Sequence, residues 1–213
     1  MQDTFKHQGL RKKLVDTISK KGIKQQKVLA AIGKIPRHLF MDNAFINFAY
    51  EDNAFPIGAG QTISQPFTVA AQTELLDVNP HDKILEIGTG SGYQAAVLVA
   101  MEAIVYSIER QKELFQKTKE FLPKIGYNCK FFYGDGYKGL PTLVPFDKII
   151  ITCGTPEIPT TLINQLKIGG KLVAPVGIGD IQEMQLLEKI SESENKITTH
   201  GKFSFVPMLT DKN

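Results

Sequence analysis

Three glycines stand at alternate positions in Glu86-Ile-Gly88-Thr-Gly90-Ser-Gly92-Tyr93, between an apolar run (83–87) and a run of small residues (93–100). Glycine allows a tight turn and a close approach of backbone to ligand, and open α/β sheets bind ligands where their strands end. The phosphate-binding ending Gly-Lys-Ser/Thr is absent, and the third glycine comes one residue early for a dinucleotide fingerprint. No Lys or Arg occurs between Lys83 and Arg110, so the turn offers little side-chain charge to a pyrophosphate. It is therefore expected to hold a nucleoside without phosphates. Glu109 ends the next apolar run, 21 residues after Gly88, where a carboxylate can accept from ribose hydroxyls. The plainer alternative is a Glu that stabilises a helix N-terminus. Asp135, between Gly134 and Gly136, ends a third run and can accept from an adenine amino group, although Gly-Asp-Gly is also a common turn.

The elements that must position these residues follow from periodicity. Strands are expected at 83–87, 104–108, 130–133, 147–152 and 171–176. Helices are expected between them at 93–100, 112–122 and 159–166, the last stopped by Gly169-Gly170. Such alternation means a parallel sheet with right-handed crossovers, and Ile149-Ile150-Ile151 reads as a strand buried on both faces. After Gly179 the runs 182–190 and 202–206 have no helix between them and should pair antiparallel at one edge. Upstream, helices are expected near 5–21 and 25–33, then an irregular stretch over 34–65, then a helix opened by Pro66 and running to Leu76. The fold class is α/β: a Rossmann-like, doubly wound, mostly parallel sheet with an antiparallel C-terminal edge and an N-terminal helical extension.

Composition narrows the classes. With 213 residues, 42% hydrophobic and 22% charged, the chain suits one domain with a core of its own and no disulfide or metal staple. No apolar run approaches a membrane span, and the N-terminus lacks a signal-peptide pattern. A cytoplasmic protein is expected, with no membrane partner. Cys129 and Cys153 lie in apolar stretches and read as small hydrophobes, and without closely spaced Cys/His pairs no metal is expected. Residues 1–37 carry ten Lys/Arg against Asp3 and Asp16. That block reads as the solvated face of two amphipathic helices, the alternative being a nucleic-acid-binding arm.

The motif around Glu86, Gly88, Gly90 and Gly92 resembles the first motif of class I S-adenosylmethionine-dependent methyltransferases. Gly60-Gln-Thr-Ile-Ser-Gln-Pro66, Leu85 to Ala96, Gln165 to Gly177 and Phe205-Val-Pro207 narrow the resemblance to the protein-L-isoaspartate O-methyltransferase family, from about Arg37 to Thr210. The resemblance implies a single methyltransferase domain over 1–213, with 1–65 as helical extension and substrate-side loop and 66–213 as cofactor-binding core and edge strands. It implies methyl transfer from S-adenosylmethionine to the free carboxylate of L-isoaspartyl residues in damaged proteins, with S-adenosylhomocysteine as product. The ester then closes to a succinimide without the enzyme. The same fold also serves small-molecule and nucleic-acid acceptors, but the Asn/Asp-Pro-Pro-aromatic element of base methylases is absent after the fourth strand. The expected partners are isoaspartyl proteins and peptides and no nucleic acid, and the expected state is a monomer.

In this resemblance Ser64 is the active-site serine, giving the acceptor a hydrogen bond rather than acting as a covalent nucleophile; its plainer alternative is a helix N-cap. Ile63, Gln65 and Pro66 would line the cofactor as a lid. Glu86, Gly88, Gly90, Gly92, Glu109, Asp135 and Gly136 would complete the cofactor site. Phe205, Val206 and Pro207 would flank the substrate, the alternative being an ordinary edge strand. A carboxylate of pKa ~3.9 is already ionised at neutral pH, so no general base is needed. The sulfonium carries the hard chemistry. The protein must align the reacting atoms and exclude water. Two departures from the family pattern stand out: Thr152-Cys153-Gly154-Thr155-Pro156 replaces a run of alanines, and Met208-Leu209-Thr210 is one residue longer than usual.

Overall fold

The computed structural model describes residues 2–211. Helices α1 (Phe5–Lys20) and α2 (Gln26–Lys34) open the chain. The hairpin β1 (Phe55–Gly58) and β2 (Gln61–Ile63) and helix α3 (Pro66–Leu76) follow. Then come β3 (Lys83–Ile87), α4 (Tyr93–Ala100), β4 (Ile104–Glu109), α5 (Lys112–Lys124), β5 (Lys130–Tyr133) and β6 (Phe146–Ile151). The one-turn helix α6 (Thr160–Ile163) and strands β7 (Leu166–Val176), β8 (Gln182–Lys189) and β9 (Asn195–Phe203) close the chain.

Seven strands form one sheet in the order β5-β4-β3-β6-β7-β8-β9. The first five are parallel, and β8 and β9 add antiparallel. The chain winds outward from β3 to β5 and then returns to β6, so the order of strand addition reverses between β3 and β6 while the strands stay parallel. That reversal leaves a crevice at the carboxyl ends of these strands. Side-chain alternation divides the core. Ile84, Val105, Ile150 and Val173 face the layer of α1 to α5. Leu85, Ile87, Ile108, Ile149 and Ile151 face the opposite side, which is covered by α6 and short 3-10 turns.

Three expectations are corrected. The stretch 34–65 is not irregular: it forms 3-10 turns at Arg37–Phe40 and Asn43–Phe48 and the β1–β2 hairpin. The expected helix 159–166 shrinks to one turn, because β7 begins at Leu166 and runs through Gly169-Gly170. A Cβ on Gly170 would lie 2.8 Å from the carbonyl oxygens of both Asp147 and Lys167. The glycine therefore serves strand contact with β6 rather than helix termination. The last strand is Asn195–Phe203, not 202–206. Its residues are mostly exposed and polar, so no apolar run announces it; pairing with β8 makes it a strand.

The basic N-terminus packs as two helices. Leu14, Ile18, Val28, Leu29 and Ile32 are buried. Arg11 is also buried, bonding the Gly33 carbonyl, the Tyr50 hydroxyl and both carboxylate oxygens of Asp3. Among the described residues one trio of metal-ligand type meets: Asp3, His7 and His38, within 4.8 Å. A guanidinium already holds the carboxylate of that trio, and the two imidazoles stack at 3.8 Å.

Candidate active site

The turn after β3 forms the floor of a partly open cavity. Gly88, Thr89, Gly90 and Ser91 line it, together with Tyr93 from the first turn of α4. Gly90 N donates to Glu109 Oε2 at 2.8 Å, and Thr118 Oγ1 donates to the Gly90 carbonyl at 2.7 Å, so β4 and α5 both grip the turn. Glu109 also accepts from Gln111 N through Oε1 at 2.8 Å. Each Glu109 oxygen is thus held by one backbone N–H. Bonding at the start of α5 and a place in the cavity lining coexist in this one carboxylate.

The hairpin supplies the opposite wall through Gln61, Thr62 and Ile63, followed by Ser64. Gly136, Thr152 and Cys153 close the far end. A strap over 206–209 completes the lining. The strap is stitched to the unusual turn after β6: Gly154 N donates to the Val206 carbonyl at 2.8 Å, and Met208 N donates to the Gly154 carbonyl at 2.7 Å. Burial pushes the Cys153 thiol up to about 12, so it stays protonated and is no nucleophile at neutral pH.

A second, wider groove adjoins the first cavity. Gln65, Phe67, Thr68, Phe203 and Phe205 line it, with Asp180, His200 and Lys202 at its polar edge. Five residues belong to both spaces: Thr62, Ser64, Thr152, Val206 and Pro207. The Ser64 hydroxyl has no hydrogen-bond partner among the described residues. Its alternative role as an N-cap is excluded, because Gln65 is the N-cap residue of α3 and Asp52 Oδ1 accepts from Phe67 N at 2.7 Å.

Several expected site residues lie elsewhere. Glu86 is completely buried behind the turn; its carboxylate accepts from the Ser107 hydroxyl, which also bonds Thr89 Oγ1. Burial, with the charge of Glu109 nearby, pushes Glu86 up to about 8. Glu86 therefore supports the turn from below and does not reach the cavity. Gly92 also stands outside the lining: a Cβ there would meet Thr118 Cγ2 at 2.7 Å, so this glycine, at φ +81°, lets the turn pack on α5. Asp135 turns back on itself, accepting from Tyr137 N at 2.9 Å, and lines neither space, whereas its neighbour Gly136 lines the cavity. Pro66 lines neither space either; it fills the first turn of α3. Gln65 borders the groove rather than the cavity. Tyr93, Thr62 and Thr152 line the cavity without having been expected there. Position directly after the glycines was the available signal for Tyr93, and position at the end of β6 for Thr152; Thr62 gave none.

The family model described as protein-L-isoaspartate(D-aspartate) O-methyltransferase matches residues 9–213. A protein-L-isoaspartate O-methyltransferase of Christiangramia forsetii is 58% identical over 214 residues, covering 100% of both chains. One of Flavobacterium psychrophilum is 59% identical over the same length and coverage. A solved protein-L-isoaspartate O-methyltransferase superposes with a TM-score of 0.84 at 29% identity; the match covers 92% of this chain and 65% of that one. The fold also matches a Plasmodium falciparum structure, described as a protein-L-isoaspartate O-methyltransferase in complex with S-adenosyl-L-homocysteine, with a TM-score of 0.81 at 23% identity and coverage of 93% and 98%.

Proposed function

Because the chain belongs to the protein-L-isoaspartate(D-aspartate) O-methyltransferase family, and so is an S-adenosylmethionine-dependent enzyme acting on isoaspartyl residues, we propose that the cavity over the glycine turn holds the methyl donor and the adjoining groove the damaged polypeptide. One observation carries this division: the two spaces meet at Ser64, Thr62, Thr152, Val206 and Pro207. A methyl group must cross from one ligand to the other, and this is where a donor and an acceptor would be in contact.

The cavity suits the donor. Its floor is backbone, its carboxylate is the pre-held Glu109, and among the described residues Arg110 is its only Lys or Arg. That set fits a nucleoside cation better than a polyphosphate. Bound there, S-adenosylmethionine would supply a methyl group made electrophilic by its sulfonium charge. Glu109 would accept from the ribose hydroxyls. Gly88, Gly90, Gly136 and Ile63 would pack against the nucleoside, and the strap would close over it.

The acceptor is an isoaspartyl carboxylate, already anionic at neutral pH. Among the described residues no lining residue of the donor cavity is a histidine, and none is required, since no proton has to be removed. The Ser64 hydroxyl would donate to the carboxylate or its neighbouring backbone and aim one oxygen at the methyl group, because in-line approach at ~3–3.5 Å is what the reaction needs. Phe205, Val206, Pro207 and Gln65 would hold the flanking chain and displace water from the nucleophile.

The single family match over residues 9–213 supports one methyltransferase domain, and the chain is proposed to act as a monomer. Among the described residues no helix is long and apolar enough to cross a membrane. Two unpaired cysteines suit the cytoplasm. The reading is tested by radiolabelled methyl transfer to paired peptides, one isoaspartyl and one aspartyl. Label is expected on the isoaspartyl peptide alone; equal labelling, or preference for a nucleic acid or small metabolite, overturns it.

A further inference from the structure

We propose that Asp52 is a positioning residue for methyl transfer, setting Ser64 at the junction of the two spaces by clamping the side chain of Gln65. The inference rests on the reading of that junction as the reaction centre, and it names the group that aims Ser64.

Asp52 stands on the segment between Tyr50 and the hairpin, far in sequence from the glycine turn, and its side chain is only 8% exposed. Every acceptor it owns faces the Ser64 element or its support. Oδ1 takes Phe67 N at 2.7 Å and Oδ2 takes Gln65 Nε2 at 3.1 Å. Its own carbonyl takes Gln65 Nε2 at 2.9 Å. Lys21 Nζ lies 2.6 Å from Oδ2 and balances the charge. Both hydrogens of the Gln65 amide are therefore bound to one residue, and Gln65 Oε1 accepts from Thr68 Oγ1 at 3.3 Å. The amide cannot be reversed, since its oxygen would then face the Asp52 carboxylate.

Ser64 is thus bracketed. Ile63 on one side is 1% exposed at the end of β2. Gln65 on the other is tethered and runs into the rigid ring of Pro66. The segment that carries Asp52 is itself anchored: Arg37 Nη2 donates to the Asn53 carbonyl at 3.2 Å, and the buried guanidinium lies 4.8 Å from the ring centre of Tyr93, which lines the donor cavity. One chain of contacts therefore runs from the donor wall to the acceptor-side hydroxyl. A misplacement of about 1 Å in such a site costs on the order of a hundredfold in rate.

The test separates aim from mere support by exchanging donor and acceptor. In Asp52→Asn the retained oxygen still accepts from Phe67 N, so α3 keeps its cap, but the new amide faces the Gln65 amide, donor against donor. The kcat with an isoaspartyl peptide is expected to fall about tenfold, while S-adenosylhomocysteine affinity by calorimetry stays within about twofold. Gln65→Glu alone sets carboxylate against carboxylate and should also lose turnover. The double variant Asp52→Asn/Gln65→Glu restores the side-chain donor–acceptor pair, leaving only the Asp52 carbonyl opposed, and should turn over faster than Gln65→Glu. In a Ser64→Ala background, Asp52→Asn should cost little more. A purely structural role would lower the melting temperature without this reversal. The proposal is overturned if kcat of Asp52→Asn is unchanged, if the double variant is no better than Gln65→Glu, or if the Ser64→Ala and Asp52→Asn losses simply multiply. A wild-type protein that leaves the isoaspartyl peptide unmethylated would sink the reading of the junction as well; a wild type that methylates it without the reversal sinks the Asp52 inference alone.

Discussion

Glu109 and Asp135 show how far a single residue can be read. Both are acidic, Glu109 is the last residue of β4 and Asp135 comes just after β5, and both stand on the same edge of the sheet. Glu109 has the longer side chain and is shared between Gly90 N and Gln111 N, so its oxygens stay at the cavity rim. Asp135 is short enough to reach its own backbone two residues on and does so, the local bonding that competes with any ligand. Replacing Glu109 with Ala should weaken S-adenosylmethionine binding by about 1–3 kcal/mol, the worth of a hydrogen bond to a charged group. Unchanged affinity by calorimetry would remove Glu109 from the ribose site. Ser64→Ala should behave oppositely, lowering kcat by about tenfold with donor affinity retained. Single-turnover kinetics at saturating donor decide it, since equal rates in both proteins would leave Ser64 without a role in the transfer.

At the scale of elements, the strands and helices around the glycine turn were legible because each has a strong period. β3, α4, β4 and β5 fall at or within a residue of their expected bounds. The hairpin, α6 and β9 were not. The hairpin is short and rich in glycine, and β9 carries lysines and threonines suited to an exposed edge. Gly169-Gly170 was ambiguous in principle, since glycine ends helices and also permits close strand contact. The structure decides for contact, and this has a measurable consequence. A methyl group at position 170 would meet two backbone oxygens that cannot step aside. Gly170→Ala should therefore cost about 1–3 kcal/mol, the usual range for overpacking. A denaturation midpoint equal to that of the parent protein would show that β7 can shift freely.

For the molecule as a whole, pH sets opposing terms. Burial holds Glu86 at about 8 against an ordinary value of 4.5, so the folded chain keeps a proton that the unfolded chain releases. Its contribution to stability is complete below the ordinary value, declines as pH rises, and is gone once pH passes the folded value. His38 acts in the other direction: burial and the neighbouring His7 lower its pKa, so stability is lost as pH falls through the range where the unfolded imidazole takes a proton. Asp3 and Asp77, held low chiefly by hydrogen bonds from Arg11 and from Lys27, add to that acid-side loss. Glu86→Gln cannot ionise. Its melting temperature relative to wild type should therefore rise between roughly pH 5 and roughly pH 8.5. Parallel melting curves for the two proteins across that range would show that Glu86 is not held protonated.

The order of residues alone determined the alternating strands and helices, the glycine turn at a strand end, the absence of phosphate-binding charge, and the Thr-Ile-Ser-Gln-Pro element. These are local patterns, set by side-chain period and by steric freedom within a few bonds. What lay beyond them needed distance in sequence to become nearness in space. Asp52 caps a helix that begins at residue 66. Gly154 ties down a strap at 206–208. Glu86, adjacent in the chain to the glycine turn, lies behind it and outside the cavity that Ile87 lines, because alternate side chains of a strand point to opposite sides. Which carboxylates meet a ligand and which support the fold is a question of burial and direction, and only the packed chain answers it.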